Sequence, residues 1–497
     1  MLCVVIKGPT IADIQQQLTK AVAITDLVEL RLDGFTEISL TALKQLRTTF
    51  KIPMIFTLRS RQQGGNYANS EEMRLTELRR LAALLPEYLD IEDHVSAAFI
   101  AQIAAEFPSI KLILSHHDFT GTPPALDHLY QAMQQIPAHY YKIAVTAHNS
   151  VEALRLLCWA KNRHHLIPIS MGPHGQISRI LGPVVGSPIT YASLENSMQT
   201  APGQLSAKLL IERYQIRMSN HHTAIFGLIG DPVDPSISDE THNHVFSTYS
   251  HNAVYVKIEV KPAELAAFLP LAQQLPFKGL SVTMPLKEYI IPHLDEITSP
   301  AQAMGAVNTL VFGNGKITGS NTDGKGALNA IETHGAVKGK RLVIIGAGGA
   351  AKAIAFEAQH RGAFVIIVNR HIEKAQHIAA RYNGRAYGLE HMEACAEAGY
   401  DIIINCTPLD QPIASKYILP KAIAMDIKTK PLLTPFLKEA QGKGCTIIHG
   451  YQMFVEQAVG QYHLWFNNPA HDLTQLLAQL AKNAVLRKMD GKRQLQK

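Results

Sequence analysis

Two sets of residues in this 497-residue chain have types and spacings suited to chemistry. In the first, residues 341–355 read RLVIIGAGGAAKAIA: an apolar run enters a glycine-rich turn, and a helical pattern follows. A G-x-G-x-x-A turn between a buried strand and a helix is a dinucleotide-binding fingerprint. Gly346 permits the tight turn, and Gly348 lets the backbone approach a pyrophosphate. Gly349 and Ala350 belong to the same turn, and Ala351 is small enough for close helix–strand packing. Free N–H groups at the helix N-terminus favour the phosphate charge. The next apolar run, 364–368, ends in Asn369 and Arg370, where an NAD-binding chain normally places a carboxylate for the ribose 2′-hydroxyl. Arg370, with His371 beside it and Lys374 a turn further on, suits a 2′-phosphate instead, so the predicted cofactor is NADP(H). The second set consists of titratable residues at the ends of short β-rich runs: Glu29, Arg31 and Asp33; Arg59; Asp90 and Glu92; His116, His117 and Asp118; and Lys142.

The runs that must position this second set lie at 3–7, 27–33, 54–58, 88–91, 112–115, 140–145, 166–170 and near 188–191, with amphipathic stretches such as 71–85 and 150–161 between them. Eight strands alternating with helices over about 215 residues predict a (β/α)₈ barrel near its lower size limit. A doubly wound open sheet is the competing arrangement. In a barrel, active-site groups sit at the C-terminal ends of the strands, and that is where the titratable residues fall. The polar stretch 217–223 (RMSNHHT) precedes a fresh strand at 224–230, and strands and helices alternate again up to the glycine-rich turn. Beyond residue 450 the pattern is helical.

Composition narrows the function classes. With 46% apolar and 18% charged residues the chain is built for several globular cores. Its net charge of +6 is spread along the sequence, no basic run is interleaved with aromatics, and no run is long and apolar enough to span a bilayer. Neither a nucleic-acid nor a membrane partner is expected. Five widely spaced cysteines without a C-x-x-C pair fit a reducing compartment, and the first residues read as a strand rather than a targeting segment, so a cytoplasmic location is expected. Histidine pairs at 116–117, 164–165 and 221–222 lack acidic or thiol partners at ligand spacing, so no metal is expected.

The C-terminal half resembles shikimate dehydrogenase over nearly its whole length. The resemblance rests on FGLIGDPVDPSI at 226–237, SVTMPLK at 281–287, GAVNTL at 305–310, NTDG at 321–324, GAGGAAKA at 346–353, NCTP at 405–408 and GYQMFVEQA at 450–458. The N-terminal half resembles type I 3-dehydroquinate dehydratase through VELRLD at 28–33, FTLRSRQQGG at 56–65, SHHDF at 115–119, YKIAV at 141–145, ISRILGPVVGSP at 177–188 and TAPGQ at 200–204. Together these resemblances imply an α/β chain: an N-terminal (β/α)₈ barrel at 1–218, an α/β substrate domain at 223–325 completed by 450–497, and a Rossmann NADP domain at 326–449. They imply two consecutive reactions of the shikimate pathway, with 3-dehydroquinate and 3-dehydroshikimate as substrates.

For the barrel, the resemblance implies that Lys142 forms a Schiff base with the substrate ketone and that His117 is the general acid–base. Burial and nearby arginines would favour the neutral, attacking amine. Glu29, Arg31, Arg59, Arg179, Thr200 and Gln204 match the family's substrate contacts, the arginines facing a carboxylate and the others hydroxyls. Gln63 stands where the family usually has a glutamate that orients the histidine. An amide stabilises an imidazolium less well, which predicts a lower His117 pKa. For the second half, the resemblance implies Lys287 and Asp323 as the catalytic pair, Ser236 and Ser238 as carboxylate contacts, Thr283, Asn308 and Gln457 as further substrate contacts, and Thr407 and Gly450 beside the cofactor. Departures are DPVDPSIS at 231–238, Ser281 for asparagine and Thr429 for tyrosine; they bear on affinity and leave quinate open as a substrate. A metabolite sensor built from retired domains would be expected to lose Lys142, His117, Lys287 or Asp323, and all four are present.

Overall fold

The structure, a computed structural model, describes residues 1–35, 37–467 and 473–494. The expected closing segment 450–497 therefore lies outside the described residues at 468–472 and 495–497. The chain divides into two compact units. Met1–Ala224 forms most of the first, and the residues from Phe277 onward form most of the second. Among the described residues no helix is long and apolar enough to cross a membrane.

The first unit is an eight-stranded parallel α/β barrel. Its strands are β1 (Leu2–Lys7), β2 (Leu27–Arg31), β3 (Met54–Thr57), β4 (Tyr88–Glu92), β5 (Lys111–Asp118), β6 (Tyr140–Thr146), β7 (Leu166–Met171) and β8 (Thr190–Ser193). They are hydrogen-bonded in the order β7-β6-β5-β4-β3-β2-β1-β8. Valine, isoleucine, leucine and tyrosine dominate these runs because they fit a pleated surface buried on both faces. Every strand residue in β3, β4, β7 and β8 is buried. Inward-pointing side chains including Cys3, Val5, Ile55, Ile113, Ala144, Ile167 and Tyr191 pack the interior. Strands β7 and β8 end the sheet, and the loops that follow them meet. The Gly172 N–H donates to the Pro202 carbonyl at 3.1 Å, and a Cβ on Gly203, whose φ is +73°, would lie 2.0 Å from the Gly172 oxygen.

The helix Glu71–Ala82 shows how the covering layer is fixed. Ser70 caps it by accepting from the Met73 N–H, and Glu71 and Glu72 face the dipole in its first turn. Its inner face carries Arg74, which is 1% exposed and donates to Glu92 at 2.6 Å, to Glu71 at 2.6 Å and to the Leu58 carbonyl at 2.9 Å. A buried guanidinium is tolerated only when its donors are met in this way.

In the second unit, Phe277–Val282 runs parallel to Ala224–Gly230 and antiparallel to Thr309–Gly313. Lys316–Ser320 continues this sheet antiparallel, and Glu296–Ile297 pairs parallel with it. The helix Gly450–Trp465 returns to the same sheet: Trp465 Nε1 donates to the Leu310 carbonyl at 3.0 Å, and Gly279 leaves room for the indole. The other sheet is wholly parallel, in the order 385–388, 364–369, 341–345, 402–405, 423–426 and 446–448. This is a Rossmann order, and the strand order reverses at Arg341–Ile345, so the ligand crevice opens at that strand's C-terminal end.

Arg74→Leu removes one of the cations facing buried Glu92. It is expected to destabilise the barrel by about 3 kcal/mol, read as an earlier urea transition followed by intrinsic fluorescence; a shift below roughly 0.5 kcal/mol would mean the pair carries no stability.

Candidate active sites

At the C-terminal end of the barrel, β4 contributes two buried carboxylates. Asp90 accepts from Arg59 at 2.9 Å, from Ser115 at 2.6 Å and from Lys142 Nζ at 3.3 Å. Glu92 accepts from the Ser60 N–H at 2.7 Å and from Arg74, and lies 3.7 Å from Arg59. Lys142 also lies 3.7 Å from Glu29 and 4.3 Å from the centre of the Tyr191 ring. Its nearest charged partners are therefore carboxylates, not the arginines expected from the sequence. Burial pushes the Asp90 carboxyl up, but Arg59 and Lys142 outweigh it and hold it low.

The three arginines differ. Arg31 makes a two-pronged pair with Asp33 at 2.8 and 3.0 Å, and Arg59 is committed to Asp90 and Ser115. Arg179, 4% exposed on the helix after β7, has a buried Nε with no hydrogen-bond partner. Burial lowers its pKa to about 10. A buried cation in that state is poised for an anion. Across the junction of β7 and β8, Thr200 donates to Gln204 Oε1 through both its N–H (2.7 Å) and its hydroxyl (3.0 Å), and Gln204 is buried.

His117 lies on β5 opposite Ala144 of β6, two residues beyond the Ser115–Lys142 pairing, so it shares a face with Lys142. Its Nδ1 is 3.0 Å from Gln63 Oε1. Its pKa lies well below the ordinary 6.5; burial is the largest cause, followed by Arg59, Lys142 and Arg31. The expected direction holds, but burial and neighbouring cations produce it. His116, by contrast, is raised by its hydrogen bond to Asp93.

In the second unit a cleft of about 830 Å³ gathers residues from both sheets. At one end Lys287 and Asp323 are paired, and Asn308 donates to Asp323 at 2.8 Å and to Thr322 at 2.9 Å. Ser236 and Ser238 hydroxyls are 2.8 Å apart, and Thr283 and Gln457 line the same space. The same cleft is also lined by Gly346, Gly348, Gly349, Ala350, Asn369, Arg370, Thr407 and Gly450. Gly346 has φ +114°, and the helix Gly349–His360 starts at the turn with Gly348 as its N-cap. A Cβ on Gly348 would meet no protein atom within 4 Å, whereas one on Gly349 would sit 3.0 Å from Lys287 Cβ. Ala351 is fully buried in the helix–sheet core, and exposed Lys374 is not among the lining residues. Among the described residues no group of three or more histidines, cysteines and carboxylates is arranged to hold a metal.

Sequence reasoning missed several polar partners. Gln461 binds Ser281 at 2.9 Å and the Asn308 carbonyl at 3.0 Å; its spacing of four from Gln457 was the available signal. Asp93 and Tyr191 were also passed over, because neither falls in a motif of the resembled families.

A family model for type I 3-dehydroquinase matches residues 2–221, one for the shikimate dehydrogenase substrate binding domain matches 228–310, and one for shikimate/quinate 5-dehydrogenase matches 329–433. The chain is 40% identical to the shikimate biosynthesis protein AroDE of Chlamydia pneumoniae, covering 94% of this chain and 95% of that protein. It is 32% identical to the chloroplastic bifunctional 3-dehydroquinate dehydratase/shikimate dehydrogenase of Arabidopsis thaliana, over 95% and 82% of the two chains. A crystal structure of a shikimate dehydrogenase in complex with NADP⁺ superimposes with a TM-score of 0.50 at 36% identity, covering 54% of this chain and 97% of that one. With both halves matched and a relative so similar along nearly its whole length, the chain belongs to the family of fused type I 3-dehydroquinase and shikimate dehydrogenase proteins.

Proposed function

We propose that this protein dehydrates 3-dehydroquinate to 3-dehydroshikimate in its barrel and reduces that product to shikimate in its second unit with NADPH. The observation that carries the reading is the placement of buried Lys142 and half-buried His117 on one face of adjacent strands, with the unpartnered Nε of buried Arg179 on the helix that follows β7. The domains would be 1–218, 223–325 with 450–497, and 326–449.

In the barrel, the Lys142 amine attacks the C3 ketone and water leaves, giving an iminium. The iminium acidifies C2, and His117 takes the C2 proton. His117 then gives that proton to the C1 hydroxyl, which departs as water, and hydrolysis of the iminium frees Lys142. Arg179 holds the substrate carboxylate, while Glu29, Thr200 and Gln204 bind hydroxyls. Arg31 and Arg59 act through the carboxylates they pair with and supply positive potential. In the second unit a nicotinamide cofactor, held by the glycine-rich turn and Arg370, would supply the hydride for the ketone carbon. Lys287 holds a proton at the developing alkoxide, and Asp323, fixed by Asn308, orients the lysine. Ser236 and Ser238 bind the carboxylate, and Thr283, Asn308 and Gln457 the ring hydroxyls. The glycine-rich turn receives the pyrophosphate, and Arg370, with Lys374 beyond it, the 2′-phosphate. The free cysteines support a cytoplasmic setting.

Purified protein given only 3-dehydroquinate and NADPH is expected to oxidise NADPH and yield shikimate. Lys142→Ala should abolish this while leaving reduction of added 3-dehydroshikimate intact, and Lys287→Ala should do the reverse. NADPH oxidation by Lys142→Ala from 3-dehydroquinate would refute the Schiff-base role.

Because the folded His117 pKa lies below 6.5, the base stays neutral as pH falls through that value. The acidic limb of the dehydratase kcat/KM profile is therefore expected below pH 6.5, with activity rising as pH climbs through it; a limb above 6.5 would contradict this.

Arg370→Ala should raise the KM for NADPH by about tenfold, the loss of one charge-assisted contact, and leave the KM for NADH unchanged. Equal changes for both cofactors would exclude a 2′-phosphate contact.

A further inference from the structure

Gln63 occupies a 3₁₀ turn after β3 and is 6% exposed, so the direction of its amide is fixed by what surrounds it. Its Nε2 lies 2.8 Å from Asp93 Oδ1, just beyond β4. An ionised carboxylate only accepts, so the amide must turn its NH₂ toward Asp93 and its oxygen toward His117. The Gln63 oxygen is 3.0 Å from His117 Nδ1, and a carbonyl oxygen cannot donate. His117 Nδ1 must therefore carry the hydrogen, which leaves Nε2 as the basic atom of the neutral ring.

The rest of the cluster holds the same direction. The second Asp93 oxygen is 2.8 Å from His116 Nδ1 on β5. Burial pushes the Asp93 carboxyl up, but His116 and Gln63 outweigh it and keep it ionised. Gln63 Nε2 also lies 3.4 Å from His94 Nδ1, and His94 Nε2 faces Glu71 at 3.5 Å, so a second acceptor faces the amide nitrogen. The charged groups that act on His117 from other elements are Arg31 at the end of β2, Arg59 after β3 and Lys142 on β6, with His116 beside it. All are cations or potential cations, and none accepts a proton from Nδ1. Without Asp93 the amide could turn over, present NH₂ to Nδ1 and force the hydrogen onto Nε2, where the ring no longer serves as a base.

We propose that Asp93, held by His116, is a positioning residue for the dehydratase: by fixing the direction of the Gln63 amide it keeps the His117 hydrogen on Nδ1 and the basic lone pair on Nε2. This rests on His117 being the general base. The separated carboxylate and amide do together what a single carboxylate at position 63 would do alone, which makes residues 63 and 93 interdependent. With Asp93 present, Gln63→Glu sets two carboxylates at the distance now spanned by a 2.8 Å hydrogen bond, and they repel. With Asp93 removed, a carboxylate at position 63 accepts from Nδ1 whichever way it turns.

The test measures dehydratase turnover on the full-length protein, following the enone absorbance of 3-dehydroshikimate, for His117→Ala, Asp93→Leu, Gln63→Glu and the double variant Asp93→Leu/Gln63→Glu. Asp93→Leu is expected to lower kcat about tenfold at unchanged KM, the effect of losing one charge-assisted hydrogen bond on the amide's orientation. Gln63→Glu should also be slower than the parent, and the double variant should recover to above either single change. Turnover by Asp93→Leu within twofold of the parent, or a double variant no faster than Asp93→Leu, would overturn the proposal. Should Asp93→Leu fail to fold, Asp93→Asn replaces it, with the same recovery by Gln63→Glu required. Near-parental turnover by His117→Ala would instead refute the general-base reading itself, and that outcome is separable because it does not involve Asp93.

Discussion

The barrel depends on a pair of carboxylates two residues apart on one strand. Asp90 and Glu92 project from β4 to the same side, and each is almost wholly buried. Charges removed from water in this way persist only if every lone pair is met. Arg59, Ser115, Lys142, Arg74 and the Ser60 backbone meet them, and these come from the β3 loop, β5, β6 and the helix Glu71–Ala82. The same satisfaction that keeps the ions folded inside also fixes Lys142 within β6 and Arg59 just beyond β3. In this barrel the electrostatic cost of the core and the preorganisation of the proposed chemistry are one arrangement.

The second unit reaches preorganisation by a different route. Its polar residues lie in a cleft and are tied together mainly by amides. Asn308 reaches Thr322 and Asp323, and Gln461 reaches Ser281, Thr309 and the Asn308 carbonyl. Neutral hydrogen-bonding groups carry a smaller desolvation penalty than ions, so burying Asn308 and Gln461 costs less than burying the carboxylates of the barrel. The helix Gly450–Trp465 supplies Gln457 and Gln461, which couples this late helix to a sheet formed some 150 residues earlier.

Much of this was legible in the sequence because the relevant signals are local. Each barrel strand was readable as a short β-rich run, and the observed strands differ from those runs by a few residues at their ends. The glycine-rich turn was legible for the same reason: strand, turn and helix are contiguous. What could not be read were partners supplied by distant elements. Nothing local to Lys142 shows that Asp90, 52 positions away, would be its neighbour. The arginines look alike in sequence, yet Arg59 is consumed by an ion pair and the Arg179 Nε is left unpartnered. Asp93 reads as one more acidic residue after a strand until the fold brings Gln63 and His116 to it.

Gly349 ties the glycine-rich turn to the proposed proton donor, since a methyl group at that position would press on the stem of Lys287 at 3.0 Å. The turn is therefore constrained from two sides, by the phosphates it would cradle and by the lysine it abuts. A drift in one propagates to the other without any intervening residue. Any side chain introduced at this glycine would therefore meet the Lys287 stem before it met a ligand, so the space beside the lysine is set by a residue of the turn.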